Sequence, residues 1–300
     1  MNFSVKEDII QLTSQWTGER FPDGRPKVPD SHLKALHALT LEEVWKPIYV
    51  KGYINQFEGR LKLLHNDGRK MIGRAVTAAY CPTRPDLNET VMEIGRSEGR
   101  TGTYNQWVVD SLIEGDVCVI DMYDKIYKGT FLGGNLTTAV ANKTKTGGGV
   151  IWGGVRDMEQ MKKIDRVQVY YRGVDPTPIR EFVMTGFNTP VRIGNAVCLP
   201  GDVVFGTESG ILFIPAHLVQ EVVDGAVKTK VKDMFGFDMI TQNKFTTAQI
   251  DKNVWTEEML DLLLEYIDTH EEAAEFRGID WSLEYDLARN GDPNDTQSAL

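Results

Sequence analysis

Two stretches of this 300-residue chain carry residue types that could do chemistry together. The first is Gly133-Gly134-Asn135-Leu136-Thr137-Thr138-Ala139, a glycine pair feeding a helical run. The opening backbone N–H groups of a helix have no intrahelical partners. With the positive end of the helix dipole behind them, they suit a carboxylate or a phosphate. The second is Gly147-Gly148-Gly149-Val150-Ile151-Trp152-Gly153-Gly154-Val155-Arg156-Asp157, a short strand, a glycine turn and then an Arg-Asp pair. The planar fork of Arg156 can hold a carboxylate, and the oxygens of Asp157 can ligate a hard cation such as Mg²⁺. By spacing alone the same residues also fit a plain turn followed by a surface ion pair.

The elements that must position these residues read as an α/β domain. β-rich runs at Met71–Ala79, Val117–Met122, Val150–Trp152, Gln168–Tyr171, Val191–Ile193, Val203–Phe205 and Ile211–Ile214 alternate with glycine-bearing turns. Helical segments fall at Leu136–Thr144 and Met158–Lys163. Not every pair of strands is separated by a long helix, so a regular doubly wound sheet is not indicated. Residues 1–38 read as an N-terminal arm: a helix over Ser4–Gln15, an irregular stretch with two glycines and two prolines at 18–26, and a helix from Ser31 as N-cap. Thr40-Leu41-Glu42-Glu43 fits a capping box. Residues 216–234 read as one amphipathic helix. Helix starts at Thr246 and Thr256 follow, with Leu260, Leu263, Leu264 and Ile267 on one stripe and a frayed polar end at Gly291–Leu300. The division drawn is an arm at 1–38, a central domain at 39–240 and an acidic helical extension at 241–300.

Composition narrows the classes. The net charge is −10, but from Asp251 onward there are 14 acidic and 3 basic residues, so the rest of the chain is close to neutral. No basic stripe tracks a phosphate backbone, which argues against nucleic acid as a ligand. No apolar run reaches the roughly 18–20 residues that span a bilayer, so no membrane partner is expected. The N-terminus lacks a secretory layout, and a cytoplasmic protein is the expectation. Cys81, Cys118 and Cys198 form no CxxC pair, which removes structural zinc and a disulfide framework. His65, His217 and His270 share no ligand-like spacing, and Tyr123, Tyr127 and Phe131 read as core.

The informative stretch resembles the signature of the RraA-like family, a glycine–acidic–Leu-Leu helix start with an Arg-Asp pair 21 residues after the acidic position, the separation of Asn135 and Arg156. Further family-like pieces keep the same order: Leu39-Thr40-Leu41-Glu42-Glu43-Val44, Gly73-Arg74-Ala75-Val76-Thr77-Ala78, Gly115-Asp116-Val117, and Pro200-Gly201-Asp202-Val203-Val204-Phe205-Gly206. The resemblance spans roughly residues 39–236.

It implies a compact β/β/α core of the swivelling-domain type with helical terminal extensions, assembled as homotrimers or homohexamers with sites between subunits. It also implies a lyase that cleaves a C–C bond of a small 2-oxo acid, by retro-aldol cleavage of a 4-hydroxy-2-oxo acid or decarboxylation of oxaloacetate, with Mg²⁺ or Mn²⁺. Carried over, Asp157 would be the metal ligand and Arg156 would pair with the substrate's carboxylate or developing negative oxygen. The substrate-binding stretch Gly134-Asn135-Leu136-Thr137 would hold the pyruvyl carboxylate through the N–H groups of Leu136 and Thr137. Asn135 stands where the aldolases have an acid that orders metal-bound water, and Asp233 is the candidate for an assisting acid from a neighbouring subunit. Asn135, Trp152 and Thr207 replace acidic residues of the family pattern. The family also contains regulators that bind a ribonuclease, so a non-catalytic binding protein is the alternative reading. A lyase or hydratase acting on a sugar-derived acid is another.

Overall fold

The computed structural model describes residues 4–291. The chain divides into two compact units, Met1–Val223 and Asp224–Leu300, so the arm belongs to the first unit. Its helices are α1 (Lys6–Leu12), α2 (Asp30–Leu36), α3 (Leu41–Tyr49), α4 (Pro85–Ser97), α5 (Tyr104–Ser111), α6 (Gly134–Thr144) and α7 (Met158–Met161). Its strands are β1 (Phe57–Glu58), β2 (Lys62–Leu63), β3 (Met71–Pro82), β4 (Asp116–Asp121), β5 (Thr130–Leu132), β6 (Gly148–Val155), β7 (Gln168–Val174), β8 (Phe182–Phe187), β9 (Val191–Ile193), β10 (Ala196–Cys198), β11 (Val203–Thr207) and β12 (Gly210–Ile214).

Ten strands form one mixed sheet in the order β1-β12-β11-β3-β4-β6-β7-β2, with β5 on β6 and β8 on β3. The centre, β3-β4-β6-β7, is parallel. That explains why β4 and β6 read as continuous apolar or glycine runs rather than alternating ones: both faces are covered. On one face Ile120, Ile151 and Val169 pack with Trp107 and Val108 of α5 and Val140 and Ala141 of α6. On the other, Val117, Val119, Val150 and Trp152 pack with Val191 and Ile193 of β9, and Ala196 and Cys198 of β10, which pair as a separate small sheet. A helical layer, a large sheet and a small β layer make the β/β/α arrangement.

The capping box at α3 forms as written in the sequence. Thr40 Oγ1 accepts from the Glu43 N–H at 3.3 Å and Glu43 Oε2 accepts from the Thr40 N–H at 2.7 Å. α2 starts one residue before the expected cap. Pro29 takes the cap position with extended backbone, and Ser31 lies inside the first turn. The arm itself is anchored by a buried ion pair. Arg25 sends Nη1 and Nη2 to the two carboxylate oxygens of Asp116 at 2.9 and 3.3 Å.

The expected helix at 216–234 is instead a 3-10 turn, Ala216–Leu218, followed by α8 (Val219–Thr241). The second unit continues with α9 (Thr247–Ile250), α10 (Glu257–Thr269) and α11 (Ser282–Asn290). Its core gathers Phe235, Trp255, Leu260, Leu263, Ile267 and Phe276, with Leu264 half-buried beside them. The polar end expected to fray lies, from residue 292 on, outside the described residues. Among the described residues no helix is long and apolar enough to cross a membrane.

Candidate functional site

Parallel strands β4, β6 and β7 all end at one edge of the sheet, where α/β proteins commonly bind ligands. The local geometry follows from β5, an element that the sequence pattern did not reveal. β5 pairs with the last residues of β6, Thr130 opposite Gly154 and Leu132 opposite Val155, and the Arg156 N–H donates to the Leu132 carbonyl at 3.0 Å. The residues that follow these two strand ends are therefore neighbours: Gly133-Gly134 after β5, Arg156-Asp157 after β6. The crossing is tight. A Cβ on Gly154 would lie 2.8 Å from the Ile126 carbonyl oxygen, so glycine lets the 122–129 loop pass over the strand.

Gly133 is the cap of α6 and is buried. A Cβ there would fall 2.5 Å from Asp157 Oδ2 and 3.0 Å from Arg156 Cγ, so a bare backbone is needed for the Arg-Asp pair to lie against the helix start. Asp157 Oδ2 accepts the Gly134 N–H at 3.2 Å and stands 3.7 Å from Arg156 Nε. Both side chains stay part-exposed, 40% for Arg156 and 32% for Asp157, which leaves each with unused bonding capacity. Asp157 holds a left-handed backbone, φ 56° and ψ 39°. For a residue other than glycine such a conformation is strained and is often found at functional sites.

The helix start corrects one sequence expectation. α6 begins at Gly134, so Thr137 is already its fourth residue, and its N–H donates to the Gly133 carbonyl at 2.9 Å. The amides at the open end of the helix are those of Asn135 and Leu136, with Gly134 turned to Asp157. The Thr137 hydroxyl is buried with no hydrogen-bond partner. The Asn135 residue is exposed at the helix start. Asp233 lies on α8, exposed, in the second unit.

Trp152 does not project into this site. It is 5% exposed, sits in the core beneath the small β layer, and carries the Arg172 guanidinium 4.5 Å and the Arg60 guanidinium 5.9 Å from its ring centre. Asp121, opposite Trp152 at the end of β4, has its carboxyl pushed up by burial, although the Tyr123 N–H and Arg192 oppose the shift.

Sequence reasoning missed Gln160, Glu159 and Asp175. The Gln160 side chain lies over Gly134, where a Cβ would meet its Oε1 at 2.3 Å. Its signal was its place one helical turn after Asp157. Asp157, Glu159, Gln160 and Asp175 line an open hollow of about 380 Å³. The Asp175 carboxyl is held below its ordinary range by the Thr177 hydroxyl and N–H.

The site can thus offer two helix-start amides and one guanidinium to an anion, and one carboxylate with hard oxygen donors to a cation. Among the described residues no three His, Cys, Asp or Glu side chains gather as a ready ligand set. A cation held by Asp157 would complete its coordination with water and ligand oxygens, as suits Mg²⁺ or Mn²⁺.

Comparison with known proteins bears on this arrangement. A family model, RraA-like (Aldolase/RraA), matches residues 47–213. Protein DlpA of Legionella pneumophila is 26% identical over 177 residues, 56% of this chain and 25% of that protein. A Halalkalibacterium halodurans protein named "Putative 4-hydroxy-4-methyl-2-oxoglutarate aldolase" is 25% identical over 119 residues, 40% of this chain and 55% of that one. The chain therefore spans about a quarter and about half of these two relatives' lengths. Among solved structures, Streptomyces coelicolor RraAS2, described as an unusual member of the RNase ES inhibitor RraA protein family, superposes with a TM-score of 0.59 at 23% identity, covering 71% of this chain and 97% of that one. An uncharacterized protein from Pseudomonas syringae does so with a TM-score of 0.59 at 20% identity, covering 78% and 98%. These structural likenesses speak for the fold.

Proposed function

This chain belongs to the RraA-like family, and on that premise we propose that it is a divalent-metal-dependent lyase that cleaves a C–C bond of a small 2-oxo acid. The reaction is retro-aldol cleavage of a 4-hydroxy-2-oxo acid, decarboxylation of oxaloacetate, or both. The observation that carries the reading is the convergence of the α6 start, Arg156 and Asp157 within hydrogen-bonding or ion-pair reach of one another. The name of the Halalkalibacterium relative agrees with it.

Each group has a task. The N–H groups of Asn135 and Leu136 receive the pyruvyl carboxylate, and the dipole of α6 favours that charge. Arg156 turns its fork to the oxygen that gains negative charge as the bond breaks. Asp157 would hold Mg²⁺ or Mn²⁺. The cation, when bound, supplies Lewis-acid stabilisation of that same charge. Asn135 orders water as a neutral amide. Asp233 of a second copy, in a homotrimer or homohexamer, assists proton transfer.

Arg156→Ala and Asp157→Ala are each expected to lower pyruvate release at least 100-fold, about 2.7 kcal/mol of barrier. Because both side chains are part-exposed, the unfolding midpoint in urea should stay close to that of the parent protein. Full turnover in either variant would sink the reading. A folded parent protein without turnover would favour the non-catalytic binding protein, a reading that the neutral, exposed Asn135 supports.

A further inference from the structure

A second cavity, sharing no residue with the site around Asp157, lies in the first unit beneath the N-terminal arm. Its volume is about 320 Å³, within the range of small-molecule sites. Leu12 and Trp16 of the arm line it together with Leu199 and Pro215. The arm wall is fixed in place: the Arg20 guanidinium donates to Thr13 Oγ1 at 2.7 Å, to the Thr13 carbonyl at 2.8 Å and to the Trp16 carbonyl at 3.0 Å.

Asp202 is the one carboxyl group in a lining whose other polar side chains are hydroxyl, amide, indole and imidazole groups. Asp202 lines the cavity, is 4% exposed, and accepts the Leu199 N–H at 2.8 Å. No cation is paired with it among the described residues. The lining holds neither lysine nor arginine. The Tyr53 hydroxyl and His217 Nε2 are 3.1 Å apart. Burial and nearby Lys51 lower the pKa of His217 below the ordinary histidine value. A buried carboxylate without a cation is costly, and here burial raises the Asp202 carboxyl to about 7 despite two backbone N–H bonds.

We infer that this cavity is a binding site for a small organic cation, a primary amine on an apolar body. Its ammonium group would pair with Asp202, and its body would lie between Trp16 and Leu199. The ammonium supplies the charge that the protein withholds. Tyr53 offers a further acceptor, and an anion of the same size would meet the like charge of Asp202 with no lysine or arginine to offset it.

The test is calorimetric titration of the full chain with benzylamine, at mildly alkaline pH, against phenylacetate as the anionic analogue. Benzylamine is expected to bind and phenylacetate not to bind. Asp202→Asn should weaken benzylamine at least tenfold. Should that variant fail to fold, Val197→Trp, which fills the cavity from the exposed side of β10, should weaken it as much. Asp157→Ala should leave the affinity unchanged. Equal binding of both probes, no binding of benzylamine, or benzylamine binding lost in Asp157→Ala and kept in Val197→Trp would overturn the proposal.

Discussion

Arg25–Asp116 and Arg156–Asp157 are the same pair of residue types put to opposite uses. In the first, two oxygens meet two nitrogens, the side chains are 3% and 0% exposed, and nothing is left over for a ligand. Its partners come from distant segments, and it ties the arm to the sheet. In the second, neighbours in sequence sit on a strained turn, 3.7 Å apart and part-exposed. A helix N–H, not the arginine, is the hydrogen-bond partner of that aspartate. An ion pair that is complete serves the fold, whereas one held open at a helix start keeps bonding capacity for something else.

The largest expected break in this comparison is Arg25→Ala. It leaves Asp116 buried and unpaired, and stability should fall by about 3–5 kcal/mol, read by urea unfolding. A loss no larger than that of Arg156→Ala would show that burial does not separate the two pairs. Asp202 shows what a buried aspartate without an arginine does. Its carboxyl keeps its proton up to about 7 in the folded chain and releases it near ~4 when unfolded. Unfolding therefore sheds a proton between those values, and Asp202 makes stability fall as pH rises through that window, by at most about 1.4 kcal/mol per pH unit. In Asp202→Asn that part of the pH dependence should vanish; identical profiles would contradict it. The smallest effect is on stability in Asp157→Gly, which relieves the left-handed backbone but gives up the acceptor of the Gly134 N–H, so the change should stay within about 1 kcal/mol, while turnover is lost.

Much of this was legible in the sequence. Strands β3, β4, β6, β7, β9, β11 and β12 stood out because their apolar runs are bounded by glycine turns. The Thr40 capping box was readable because its two hydrogen bonds are local. What escaped was non-local or short. β5 is three residues long and gains its identity only by pairing with β6. β8 pairs with β3 from a hundred residues away. α4 and α5 had signals that went unread, Pro85 at a helix start and the Thr103–Gln106 capping box. At the site, the Arg156-Asp157 motif was visible. The loss of the Thr137 amide was not, because it depends on α6 starting at Gly134. Trp152 looked like a site position in sequence, yet strand alternation turns it to the opposite core, under Arg172.

The most direct measurement is pyruvate release by the parent protein from 4-hydroxy-4-methyl-2-oxoglutarate and from oxaloacetate, with Mg²⁺ or Mn²⁺ and then with excess EDTA. A divalent-metal-dependent lyase should release pyruvate with either metal and lose that release on chelation. Release that EDTA leaves untouched, or no release from either acid by folded, metal-supplied protein, would contradict it.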